Sequence, residues 1–315
     1  MAENIKMTPQ KVRMSKKLNT LIILLTIAVF ITACHSPGPQ PVKPPKPETP
    51  KVETPKPKPS PTASFYKKYT EFLQKYVDDQ GLVDYKSLKR KRFELMKLLF
   101  EFDDFDPKKY NTWPQKEKIA FWINLYNVQM LNIIVNNYPI ESSRILRLFW
   151  PPDSIRHIKG IWTKYKFIVM DEEFTLDEIE KRLLRKQFNE PRIFLALSQA
   201  SLSSPPLQNE PYYGQKLDQQ LNEQTKKFLA NPLAFQINRE EKAVHLSAIL
   251  QPTWFGNEFI DKFGTDKKFK DHPPAVRAVL NFITNYVTEQ DIHFLEVENY
   301  SVKFLKYDWT LNDSR

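Results

Sequence analysis

The amino-acid sequence predicts an α+β fold, a mainly helical single domain with a buried central helix and short antiparallel hairpins. Within a helix expected over Lys116 to Tyr138, the middle from Ile119 to Leu131 is apolar on nearly every side, the pattern of a helix enclosed by protein. Helical periodicity recurs on both sides of it. Short alternating segments come in pairs separated by turn residues, where a doubly wound sheet would alternate single strands with helices.

Phe65, Tyr69, Phe72, Leu73 and Tyr76 recur at helical spacing and predict a first helix ended by Gly81. Leu88, Phe93, Leu95, Met96, Leu99 and Phe102 predict a second, with Asp103 to Lys109 as a polar exit. Thr112 as N-cap, Pro114 in the first turn and Pro139 as terminator bound the central helix. Inside it Asn124 and Asn127 lie one turn apart among apolar residues. A buried amide without partners costs about 1 to 3 kcal/mol, so these two either tie the helix to neighbouring backbone or line a polar ligand site.

Beyond the central helix, Tyr165 to Met170 reads as a strand, and Thr175-Leu-Asp-Glu178 has the capping-box pattern of a helix running to about Lys186. Arg192 to Leu197 is a buried run too short to assign as helix or strand. It leads into Ser198 to Leu207, a hydroxyl-rich loop ended by two prolines. Leu217 to Leu229 is helical, and Ala234 to Leu246 is a hairpin turning at Asn238 to Lys242. Pro273 to Val287 is a helix, and Ile292 to Val297 with Val302 to Lys306 is expected to close the chain as a terminal hairpin.

The chain begins differently. Lys16-Lys17 precedes the apolar run Leu21 to Ile31, and Thr32-Ala33-Cys34 follows. That is the order of a signal peptide, and the run is about half the ~20 residues of a membrane-spanning helix. Ile31-Thr32-Ala33-Cys34 resembles a bacterial lipobox. The resemblance implies lipidation of Cys34, removal of residues 1–33 and anchoring by two or three acyl chains such as palmitate. Residues 1–13 precede Met14-Ser-Lys-Lys, itself a conventional short basic start. His35 stands where an aspartate often signals inner-membrane retention, so an outer-membrane anchor is expected in a Gram-negative host.

Residues 34–63 are rich in Pro, Lys, Glu and Thr, a tether composition that favours extended polyproline II. About 25 such residues at ~3.1 Å each reach roughly 75 Å. The globular domain is expected over 64–315. The formal charge of +10 invites a nucleic-acid reading, but the signal segment holds four of those units and the tether three, leaving the domain near +3. Partners are therefore expected to be the membrane, through the anchor, and an envelope peptide, glycan or protein, not nucleic acid.

Several segments together resemble a family known as domain of unknown function 547. They are Gly81-Leu-Val-Asp-Tyr85, Ala120-Phe-Trp-Ile-Asn-Leu-Tyr-Asn127, Leu176-Asp-Glu-Ile-Glu180 with Leu184-Arg185, Pro191-Arg-Ile193, the Ala200 to Leu207 loop, Leu246-Ser247 and Tyr307-Asp-Trp-Thr-Leu-Asn312. The family is distantly similar to papain-like or transglutaminase-like cysteine enzymes. The resemblance implies cysteines where this chain has Gln199 and Ser204, and histidines where it has Lys181 and Phe194. All four positions depart, which favours a non-catalytic binding or scaffolding member.

The alternative is an envelope hydrolase or acyl-transfer enzyme using the Ser198 to Ser204 loop. Ser201, Ser203 or Ser204 would be the nucleophile, with His157 or His245 as base. Cys34 is the only cysteine, so the exported domain has no thiol for this chemistry. The histidines show no metal-ligand spacing, and neither metal nor cofactor is expected. Asp308, between Tyr307 and Trp309, is either a functional carboxylate or a structural one that fastens the C-terminal segment.

Overall fold

The core is built around α5 (Gln115–Asn137), and every residue from Ile119 to Leu131 is buried in it. The computed structural model describes residues 63–314, all in one compact unit. The expected signal peptide, the tether and the Cys34 lipidation site lie outside the described residues.

Helix α1 (Ala63–Tyr76) buries Phe65, Tyr69, Phe72, Leu73 and Tyr76 against this core. It ends before Gly81, because Val77 leaves the helix to bridge Val83. Gly81 instead occupies the intervening turn at φ 86°, a left-handed conformation that glycine adopts without steric cost. The expected second helix is two: α2 (Tyr85–Arg90), capped by the Asp84 carboxylate on Ser87 N, and α3 (Arg92–Asp103). Phe93 and Phe100 face solvent. The polar exit folds into α4 (Pro107–Asn111), capped by Asp106. Thr112 closes α4, its hydroxyl donating to Lys109 O, so it does not cap α5.

After α5, β1 (Phe167–Val169) pairs antiparallel with β2 (Glu172–Phe174), turning through Met170 and Asp171, both at positive φ. The Thr175 capping box forms as its sequence pattern predicts. It opens α6 (Leu176–Glu178), which continues as a π-helical segment, Ile179–Arg185. Pro191–Leu195 is a 3-10 turn, which settles the open assignment there. Helix α7 (Leu217–Leu229) has the expected bounds. The expected hairpin is β3 (Phe235–Asn238) with β4 (Ala243–Leu246).

Three helices follow: α8 (Pro252–Phe255), α9 (Asn257–Phe263) and α10 (Pro274–Ile283). The terminal hairpin is corrected. Its first half is α11 (Glu289–Val297), because Thr288 caps Asp291 N and commits Ile292 to Val297 to the helix. Its second half, β5 (Ser301–Phe304), pairs parallel with β4 and completes a mixed sheet ordered β3-β4-β5.

The buried residues form two clusters, one around α5 and one around α10 and the three-stranded sheet. Trp309, in the C-terminal segment after β5, packs against both.

Candidate functional site

The C-terminal segment Tyr307 to Ser314 runs between two loops that the sequence keeps far apart. On one side Val83 N donates to Asn312 O and Ser314 N to Val83 O. On the other, Leu202 N donates to Thr310 O, Ser203 N to Asp308 O and Asn312 N to Ala200 O. Side chains reinforce the strap. Asn312 Nδ2 donates to Gly81 O at 3.0 Å, and Asn312 Oδ1 accepts from the Tyr85 hydroxyl at 2.9 Å.

The serine loop is buried beneath this strap, and the hydroxyls of Ser201 and Ser203 bond to it. Ser201 Oγ lies 2.8 Å from the Tyr307 hydroxyl. Ser203 Oγ accepts from Asp308 N at 2.9 Å. Ser204 Oγ accepts from Gln199 N and donates to Pro205 O. Gln199 Oε1 sits at the limit of bonding range, 3.5 Å, from the Tyr307 hydroxyl. Burial, eased by the bond to Ser201, raises the pKa of Tyr307 above that of a free phenol.

The histidines are placed elsewhere. His157 Nε2 lies 2.8 Å from Pro151 O, and His245 stands in β4 between Gln236 and Lys303 of the flanking strands. Among the described hydrogen bonds, none joins either ring to Ser201, Ser203 or Ser204. Asp308 Oδ1 accepts from Thr310 N at 2.9 Å and so shapes the strap's own turn.

The two buried asparagines of α5 hold backbone. Asn124 donates to Tyr212 O and accepts from Tyr212 N, and Asn127 donates to Ala196 O and accepts from Ser198 N. Each side-chain amide thus pairs with two main-chain groups as a strand would, and fixes a loop to the central helix. Asn127 thereby sets where the serine loop begins, whereas Asn124 fixes a different segment.

Lys181 is exposed and pairs with Asp177 at 2.6 Å. Phe194 meets Phe259 edge-on, 5.8 Å between ring centroids, in a cleft of about 270 Å³ shared with Arg185, Phe188 and Phe255. Asn124, Asn127, Gln199 and the serine loop do not line that cleft.

The strap does assemble one surface that single-segment patterns did not reveal. The Arg156 guanidinium lies over Trp150 at 4.8 Å, Trp309 at 5.0 Å and Trp162 at 5.9 Å. Trp150 and Trp162 each meet Trp309 edge-on, at 6.2 and 6.1 Å. Trp254 continues the cluster, stacked on Tyr307 at 5.5 Å with 12° between planes and 6.0 Å from Trp309.

All four indoles are half-buried, and Arg156 is exposed. Tyr126 of α5 is buried beside Trp162 and Tyr307, and burial, then the charge of Glu180, raises its pKa well above the usual phenol value. Each cation–aromatic contact contributes about 0.5 to 1 kcal/mol at such exposure. The only sequence signal was residue type, since the cluster takes four of the chain's six tryptophans.

No curated protein and no solved structure matches the chain. Residues 110–229, which include α5, the capping box and the serine loop, match the model of a family described as Protein of unknown function, DUF547.

Proposed function

We propose that this chain is a lipid-anchored envelope protein and that its domain, resembling the same family beyond residues 110–229, is a non-catalytic binding module. Its aromatic surface around Arg156 takes the ligand. The observation that carries the reading is the set of half-buried indoles held at fixed angles around one exposed guanidinium. Flat, immobile indole faces suit the apolar C–H faces of sugar rings. Arg156 adds donors for a hydroxyl or carboxylate. An envelope glycan fits both requirements.

The hydroxyls of Ser201 and Ser203 are engaged in holding the strap and that of Ser204 bonds within its own loop, which supports binding over turnover. Anchoring at Cys34 rests on the basic start, the apolar run and the lipobox resemblance. The missing aspartate after Cys34 favours the outer membrane of a Gram-negative host.

Binding of purified envelope glycan strands tests the ligand reading. Trp309→Ala and Arg156→Ala are expected to weaken retention at least tenfold, while Lys226→Ala, on α7, leaves it unchanged. Equal retention by all of these variants would sink it. Turnover of a peptide, ester or amide substrate, abolished in Ser201→Ala, Ser203→Ala or Ser204→Ala, would replace binding with catalysis. For the anchor, Cys34→Ser is expected to abolish labelled palmitate incorporation and release the protein from membranes.

A further inference from the structure

Between α5 and β1 the chain turns outward through Ser142 to Trp150. Ile145, Leu148 and Phe149 are 72%, 80% and 67% exposed, and Leu146 is 37% exposed. Single exposed apolar residues are ordinary, but four within five positions form a continuous apolar crest. Arg144 and Arg147 are exposed within it, and no acidic residue occurs from Ser142 to Pro152.

The amides from Leu146 to Trp150 bond within this turn. Arg147 N donates to Ser143 O, Leu148 N to Ile145 O, and Phe149 N and Trp150 N to Leu146 O. Ser143 Oγ accepts from Leu146 N, and Arg147 Nε donates to Ser142 Oγ at 2.6 Å. The amides of Leu146, Arg147, Leu148 and Phe149 are therefore already paired, which lowers the cost of moving them from water toward a bilayer interface. The crest's C-terminal end is rooted in the domain, because Trp150 lies under Arg156 and edge-on to Trp309.

We propose that the Arg144 to Phe149 crest is a second membrane contact, which inserts Ile145, Leu148 and Phe149 between lipid headgroups of an anionic bilayer. Charge complementarity selects this occupant. Arg144 and Arg147 lie at headgroup depth when the apolar tips enter the acyl boundary, and each cation near an anionic surface strengthens binding about fivefold. The inference goes beyond the glycan reading and depends neither on it nor on acylation of Cys34.

The full chain carrying Cys34→Ser has no native thiol, so a single introduced cysteine reports one position. An environment-sensitive dye on Leu148→Cys is expected to shift to the blue with phosphatidylglycerol vesicles and little with phosphatidylcholine vesicles. The same dye on Leu233→Cys, an exposed position after α7, is expected not to shift. Arg144→Ala with Arg147→Ala lowers vesicle affinity at the Leu148 probe about 25-fold. Phe149→Ser lowers it independently.

Absence of a shift at Leu148, an equal shift at Leu233, or indifference to lipid charge overturns the proposal. A shift that grows with protein concentration without vesicles also overturns it, by showing that a second copy covers the crest. These readouts are local to the crest, so they are separate from glycan retention and from palmitate incorporation.

Discussion

The Tyr85 hydroxyl donates to Asn312 Oδ1 at 2.9 Å across 227 positions of sequence, and both side chains are buried. The same amide donates to Gly81 O, so one asparagine fastens the end of the chain to the first turn of the domain. Asn312→Ala leaves the Tyr85 hydroxyl and the Gly81 carbonyl without these partners, at about 1 to 3 kcal/mol each. The expected loss of about 2 to 6 kcal/mol is measured by urea unfolding. Tyr85→Phe removes one donor only and should cost less than half as much. Equal costs would show that the amide's bond to Gly81 O contributes nothing.

Gly81 is required twice at one position. Its φ of 86° disfavours any side chain, and a Cβ there would lie 2.8 Å from Leu207 N and Leu207 O. Those are backbone atoms at the end of the serine loop, so they cannot rotate away. Gly81→Ala therefore costs the left-handed conformation, about 1 kcal/mol, and the displacement of the loop, about 1 to 3 kcal/mol. A change smaller than about 1 kcal/mol in urea unfolding would show that the Gly81 turn moves freely away from Leu207.

Ser201 and Tyr307 make a hydroxyl pair at 2.8 Å below the aromatic cluster. Removing one partner leaves the other buried and less well satisfied, whereas removing both removes the demand. Ser201→Ala and Tyr307→Phe are each expected to cost about 1 to 2 kcal/mol, and the double variant less than their sum. Strict additivity would mean that the pair is not coupled. Glycan retention is expected to survive Ser201→Ala, because the stacked Trp254 ring still orients Tyr307.

The elements legible in the sequence were those specified locally. The apolar enclosure of α5, the capping box at Thr175, the amphipathic period of α7 and the β3–β4 hairpin all express short-range chemistry. The two asparagines of α5 were legible as a choice between backbone ties and a ligand site, and their partners are main-chain groups of Tyr212, Ala196 and Ser198. Strand β5 was legible as a strand, but not its partner. Pairing with β4 is a tertiary event, and Thr288 had already committed the supposed companion strand to α11. The aromatic surface was the least legible feature. Trp150, Trp162, Trp254 and Trp309 share no period and meet only because the strap carries Trp309 across the seam between the two buried clusters.

Acid should loosen the junction between the Pro191–Leu195 turn and α7 through one charged group of side chains. Arg192 donates from Nε to Glu190 Oε1 at 2.8 Å and from a terminal nitrogen to Glu190 Oε2 at 2.6 Å, and it reaches Asp218 Oδ1 at 3.0 Å. Burial works to raise the Glu190 pKa, but the Arg192 bonds outweigh it and hold the carboxyl below the usual carboxylate range. The Asp218 pKa is lowered by the hydrogen bond from Lys116 and then by Arg192.

Both folded values lie below those of the unfolded chain. Their contribution is therefore complete above the unfolded carboxylate pKa of about 4 and is lost as pH falls through the lowered folded values. Glu190→Gln is expected to cost about 1 to 3 kcal/mol at pH 7, since Arg192 keeps a polar neighbour but loses its charged fork. The gap between variant and wild type should then narrow as pH falls from about 5 toward 3, below the unfolded carboxylate pKa and toward the lowered folded one. Urea midpoints across that range read the gap directly. A gap that stays constant to pH 3 would mean that the Glu190 pKa is not linked to folding, and the fork would then act through shape alone.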